Sequence, residues 1–189
     1  MRPDLLVRLK RETATAHERI ERVFDLDQRT RSLALYRDLL VRLYGFHAAW
    51  EPAADAALGD RTFFSARQKT HLLHNDLLAL GVAESDLARL PLCLPTVPLR
   101  TAAEALGSMY VVEGSTLGGT IIAGYVEHRL GLTRANGCCY FRCYGKKVGQ
   151  MWNEFGVKLS TAVAGADEEI VICSAARTFE LMHQWLRCS

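Results

Sequence analysis

Apolar residues return every three or four positions along most of the chain, the period of helices that bury one face. Leu5, Leu6, Leu9, Ile20 and Phe24 recur among charges over 4–24, and Pro3 suits a helix start. Leu35, Leu39, Leu43, Phe46 and Trp50 mark a long helix over 32–58, in which Pro52 should bend the helix or end its regular part. Ser65 can cap a helix over 66–80, and Gly81 stands where a left-handed stop belongs. The proline-rich segment 91–98 predicts an extended connector. Thr101 and Glu104 have the spacing of a capping box, opening a helix that runs to about Leu130 and stops at Gly131. A loop containing Asn136-Gly137 follows, then helices over about 140–163 and 167–186. No stretch alternates as a good strand should, and there is no internal repeat. The pattern predicts one all-α domain over 1–189, with roughly six to eight helices.

The helix over 102–130 is anomalous. Its run Glu113-Gly114-Ser115-Thr116-Leu117-Gly118-Gly119 carries three glycines, each costing a helix interior about 1 kcal/mol relative to alanine. The apolar flanks Tyr110, Val111 and Val112, and Ile121 and Ile122, predict a helix that survives through packing but is kinked and loosened there. Glycine lets backbone approach either another helix or something flat and large. Spacing alone leaves both open.

Of six histidines, His17 has one extra feature, Glu21 four residues on and on the same helical face. A carboxylate so placed can fix the tautomer of an imidazole whose other nitrogen binds metal. Lys10, two turns earlier, could meet an anionic group at a cofactor's edge. An exposed ion-pair ladder would use the same spacing.

Composition narrows the class. The 189 residues suffice for one sizeable core, and 49% hydrophobic with 23% charged is ordinary for a globular protein. A net charge of +2 gives no field for nucleic acid, though a local basic cluster could hold a small dianion. No apolar run approaches the roughly 20 residues that span a bilayer, and Met1-Arg2-Pro3-Asp4 does not open a signal peptide, so no membrane is expected and the cytoplasm is. The six cysteines lack zinc spacing and are expected as free thiols, although Cys138, Cys139 and Cys143 cluster as redox or soft-metal groups could. Glu180 and His183 have di-iron spacing without a convincing second motif. Arg67, His71 and His74 share a helical face, expected to be solvated. Trp50, Trp152 and Trp185 are expected in or near the core.

Three blocks together resemble a known family. Leu9 to Glu21, reading LKRETATAHERIE, resembles the proximal-helix motif of heme oxygenases. Tyr110 to Gly119, reading YVVEGSTLGG, resembles the distal-helix motif of their bacterial branch. Tyr144 to Trp152, reading YGKKVGQMW, resembles a block of heme oxygenases encoded beside bacteriophytochromes. The likeness extends over about 5–185. It implies an all-α fold with heme b, both substrate and cofactor, between the first helix and the glycine-kinked helix. His17 matches the iron ligand and Glu21 the carboxylate that orients it. Gly114, Gly118 and Gly119 match the distal glycines, and Lys10 a basic residue near a propionate. Tyr110, Tyr144 and Lys147 are further candidates for propionate contact. Ser115 stands where many animal members carry an acidic residue that organises water, so the way water is ordered here stays open. The resemblance implies ring opening to biliverdin, carbon monoxide and ferrous iron, with the alpha isomer expected. An external donor of ferredoxin or flavin-reductase type and a bacteriophytochrome as bilin acceptor are the implied partners. The rival on the same fold is a heme carrier or chaperone that releases heme intact. A non-heme di-iron oxidase and a thiaminase-like enzyme rank lower.

Overall fold

The structure, a computed structural model, describes residues 3–187. Among them every regular element is helical. The chain begins with α1 (Pro3–Glu12), α2 (Ala14–Phe24) and the short α3 (Leu26–Arg29). The expected single helix over 4–24 is therefore two. The Thr13 hydroxyl donates to the Leu9 carbonyl at 2.7 Å, and Thr13 leaves helical geometry with ψ at 3°. A threonine bonding back in this way competes with the backbone ladder.

The long α4 (Leu33–Leu58) starts at Ser32, whose hydroxyl accepts the Leu35 N–H at 3.2 Å, and ends at Gly59 with φ 66°. Pro52 does not end its regular part. It sits on the exposed side, where the carbonyl it leaves without an amide partner can bind water. A short α5 (Arg61–Ser65) precedes α6 (Thr70–Ala79). Ser65 thus closes one helix and does not open the next. The true cap of α6 comes from α4: Glu51 accepts the N–H groups of Lys69 and Thr70 at 2.6 and 2.9 Å, a carboxylate at a helix N-terminus. A single turn, α7 (Glu84–Leu87), leads into the irregular segment before Arg100.

The glycine-bearing α8 (Ala102–Leu130) has the expected capping box at Thr101 and Glu104 and the expected stop at Gly131, φ 67°. Its helical assignment runs unbroken through the glycines. The expected helix over 140–163 instead begins with two 3-10 turns, Tyr140–Arg142 and Gly145–Lys147, before α9 (Val148–Ala162). The Asp76 carboxylate takes the N–H groups of Cys139 and Tyr140 at 2.7 and 2.8 Å, pinning that corner to α6. Finally α10 (Asp167–Arg187) packs along α8, with α2 against its outer side.

Gly107 lets α8 and α10 approach closely, since a Cβ there would come within 2.1 Å of the Val171 carbonyl oxygen. The buried side chains form two clusters. One joins Leu5, Leu9, Phe46, Trp50, Met109 and Phe155; the other joins Tyr36, Leu40, Leu73, Val126, Tyr140 and Phe141. Helix α8 runs through both, contributing residues up to Val112 to the first and from Ala123 to the second. The glycine run lies between them.

Candidate functional site

A cavity of about 570 Å³ opens at that junction, within the size range of small-molecule and cofactor sites. Its walls are His17, Ile20, Glu21 and Phe24 of α2, residues 114–119 with Ile121 and Ile122 of α8, and Met182 and Leu186 of α10. Leu26 of α3, Leu43, Lys69, Tyr140, Phe141 and Cys143 complete it. The lining is mostly apolar with a few polar groups, the composition that buries a flat aromatic ligand and fixes its orientation.

His17 lies on a helix with no fully buried residue, and its side chain is 56% exposed. Its ring stands edge-on to Phe179 of α10 at 5.9 Å. Nδ1 faces Glu21 Oε1 at 3.6 Å, which favours the tautomer protonated at Nδ1 and leaves Nε2 as the electron-pair donor.

The glycines divide by environment. A Cβ on Gly118 would meet no atom within 4 Å, and one on Gly114 only the Trp152 ring at 3.8 Å. Both line the cavity, so packing within the protein does not demand glycine at either position. At Gly119 a Cβ would sit 2.9 Å from the Phe141 carbonyl oxygen. That glycine serves the approach of α8 to the first 3-10 turn as well as the cavity wall. Ser115 lines the cavity while its hydroxyl donates to the Val112 carbonyl at 2.8 Å.

Six of the ten residues singled out from the sequence thus meet at one cavity: His17, Glu21, Gly114, Ser115, Gly118 and Gly119. The other four do not line it. Lys10 and Lys147 are exposed. The Tyr110 ring packs near Trp152, 5.8 Å between centroids. The Tyr144 hydroxyl donates to Glu113 Oε1 at 2.9 Å and accepts from Lys69 Nζ at 3.1 Å.

Beneath the glycine run lies an ionic cluster that periodicity did not reveal. Glu113, 1% exposed, accepts from the Arg67 guanidinium and from Lys69 Nζ, the latter at 2.7 Å. Lys69 also donates to the Arg67 carbonyl at 2.9 Å. Arg67 is 3% exposed, so the expected solvated face at Arg67 is wrong. The guanidinium is drawn inward by Glu113, while His71 remains exposed. A carboxylate next to Val111 and Val112 in an apolar run was the available signal, because a charge so placed needs a buried partner. Burial, then Glu113, pushes the Tyr144 phenol far above its ordinary range, so Tyr144 stays neutral.

Neither other metal reading gains support. Arg19 donates to Glu180 Oε2 at 2.9 Å and lies 3.2 Å from His183 Nδ1, placing a fixed cation against both members of the Glu-x-x-His pair. Cys138, Cys139, Cys143 and Cys173 are thiols, and burial pushes the Cys138 thiol up to about 12. Cys188 lies outside the described residues. Among the described residues no group of three or more His, Cys, Asp or Glu could hold a metal ion. A single imidazole facing an apolar cavity suits a metal that brings its own chelating ring. No helix among them is long and apolar enough to cross a membrane.

Comparison with known proteins gives the same direction. The family model described as heme oxygenase matches residues 3–188. Among solved structures, the heme oxygenase from Leptospira interrogans superposes with a TM-score of 0.75. It is 15% identical, with 97% of this chain and 98% of that chain covered. A search of the curated proteins found no match.

Proposed function

The chain belongs to the heme oxygenase family, oxidoreductases that act on heme, and from that premise we propose that His17 holds the heme iron in this cavity for cleavage of the ring to biliverdin. The single observation that carries the reading is the meeting of His17 with Gly114 and Gly118 at one apolar cavity, with open space where a Cβ on Gly118 would stand. Bound heme supplies the redox and oxygen chemistry and is itself the molecule consumed.

The chain's own residues do the rest. His17 donates through Nε2, with Glu21 facing Nδ1 and favouring the proton there. Phe24, Leu43, Met182 and Leu186 offer apolar surface to the ring and exclude water from it. The lack of side chains at Gly114 and Gly118 leaves room for a planar ring and a small ligand beside helix backbone. Exposed Lys10 and Lys147 are the proposed partners of the propionates, as charge-assisted contacts. Tyr110 and Tyr144 were candidates for the same role, and the Tyr144 hydroxyl is already committed to Glu113.

Finer features of the proposal rest on resemblance to the bacteriophytochrome-associated branch. They are attack at the alpha meso carbon, supply of bilin to a bacteriophytochrome, release of carbon monoxide and ferrous iron, and reduction by a ferredoxin or flavin-reductase type of donor. The proposed compartment is the cytoplasm.

The test is heme titration followed by ascorbate in air, with the pigment separated by chromatography. Loss of the Soret band with formation of alpha biliverdin is expected. Heme that binds and survives intact would instead make the protein a carrier.

A further inference from the structure

Beside Ser115, on the same cavity wall, Tyr140 heads a line of polar groups that runs into the protein. Tyr140 lines the cavity and is otherwise buried, 8% exposed. Its hydroxyl lies 3.0 Å from Nε2 of His47. His47 is 1% exposed and its Nδ1 faces Glu51 Oε1 at 3.5 Å, with no hydrogen-bond partner among the described residues. The same Glu51 oxygen caps α6 through the N–H groups of Lys69 and Thr70. Three elements that hold the cavity, α4, the N-terminus of α6 and the first 3-10 turn, are thereby joined.

The direction of each hydrogen follows from charge. Burial would raise the Glu51 carboxyl, but His47 and the Lys69 N–H outweigh it and hold it below the usual range, so Glu51 is a carboxylate. Burial pushes His47 below its ordinary range against the pull of Glu51, so the ring is neutral. The groups that face it are Glu51 from its own helix, Lys69 ahead of α6, Glu113 from α8 and Tyr140. A neutral ring next to a carboxylate keeps its proton on Nδ1. Nε2 then accepts, Tyr140 donates its O–H to it, and the Tyr140 oxygen is left with lone pairs.

Resting on the heme oxygenase reading, we propose that Tyr140, positioned by His47 and Glu51, is a hydrogen-bond acceptor built into the cavity wall that orients water on the glycine side of the ring. The charge that neutral Ser115 does not carry lies further in, on Glu51, and reaches the wall through the imidazole and the phenol. Tyr140 is the contact to water, and His47 and Glu51 are positioning residues. No proton changes owner in the resting arrangement.

Two measurements test this. The first is the ¹⁵N signature of the His47 ring in the protein without heme. The Nδ1-protonated neutral tautomer is expected, with Tyr140→Phe moving the Nε2 resonance and leaving Nδ1 in place. A proton on Nε2 would reverse the line and overturn the proposal. The second is the pH of the acid–alkaline spectral transition of the ferric heme complex. An acceptor at the wall favours the acid form, so Tyr140→Phe should lower the transition by about one pH unit. His47→Phe should do the same, whereas His47→Gln, which can still donate toward Glu51 and accept from Tyr140, should stay near wild type. If Tyr140→Phe takes up heme with the wild-type transition, this inference fails and the functional reading stands. If wild type takes up no heme, the functional reading fails and the proposed role with it.

Discussion

A methyl group added at Gly118 would meet nothing within 4 Å, and one added at Gly119 would come 2.9 Å from a backbone carbonyl oxygen. These adjacent glycines therefore answer to different demands. Gly118→Ala should leave the fold intact and stabilise the heme-free protein by up to about 1 kcal/mol, the helix preference of alanine over glycine. The same change should weaken heme uptake, because the methyl projects where the ring must lie. Gly119→Ala should lower stability, since α8 or the first 3-10 turn has to move. Urea denaturation of both variants without heme, with heme titrations alongside, separates the two roles. Equal stability losses would show that both glycines serve packing alone.

His47 gives a second prediction at this scale. Its folded-state pKa is depressed by burial below the unfolded value, so the unfolded chain binds the extra proton. Stability is then full above about pH 6.5, the ordinary histidine value, and is lost as pH falls from there through the folded pKa. Glu51, also held low, acts in the same sense at lower pH. His47→Gln should flatten the fall in stability between pH 7 and 5, read from denaturation midpoints. An unchanged slope would assign the acid sensitivity elsewhere.

At the scale of elements, α8 is held against its own glycines by the charges beneath it. Arg67 and Lys69 are both nearly inaccessible, and both meet Glu113. Glu113→Ala would take from Lys69 its carboxylate and leave Arg67 only the half-exposed Glu154 at 3.6 Å, and should cost about 3–5 kcal/mol in denaturant unfolding. A loss under about 1 kcal/mol would mean the cluster is solvated or rearranges. Helix starts and stops written in local chemistry were legible in the sequence: the Thr101–Glu104 box and Gly131 act as their types predict. Ends made by remote side chains were not. The start of α6 depends on Glu51 and the corner before α9 on Asp76, both distant in sequence. The break at Thr13 turns on one hydroxyl bonding back to Leu9, which periodicity does not record.

At the scale of the whole molecule, the two hydrophobic clusters meet along α8, and the cavity lies at their junction. The glycine run stood out in the sequence because glycines inside a helix break a local rule, and His17 was singled out by a carboxylate one turn on together with the family resemblance. Lys69, Tyr140 and His47 break no such rule. Their place at or behind the cavity follows from how α4, α6 and the 3-10 turn come together. The central proposal is that His17 is the protein's hold on the heme iron. The most direct measurement is the optical spectrum of the ferric heme complex of wild type and His17→Ala, with and without added imidazole. A histidine-ligated spectrum in wild type, lost in His17→Ala and restored by imidazole, is predicted. Identical wild-type and His17→Ala spectra without imidazole would contradict the assignment.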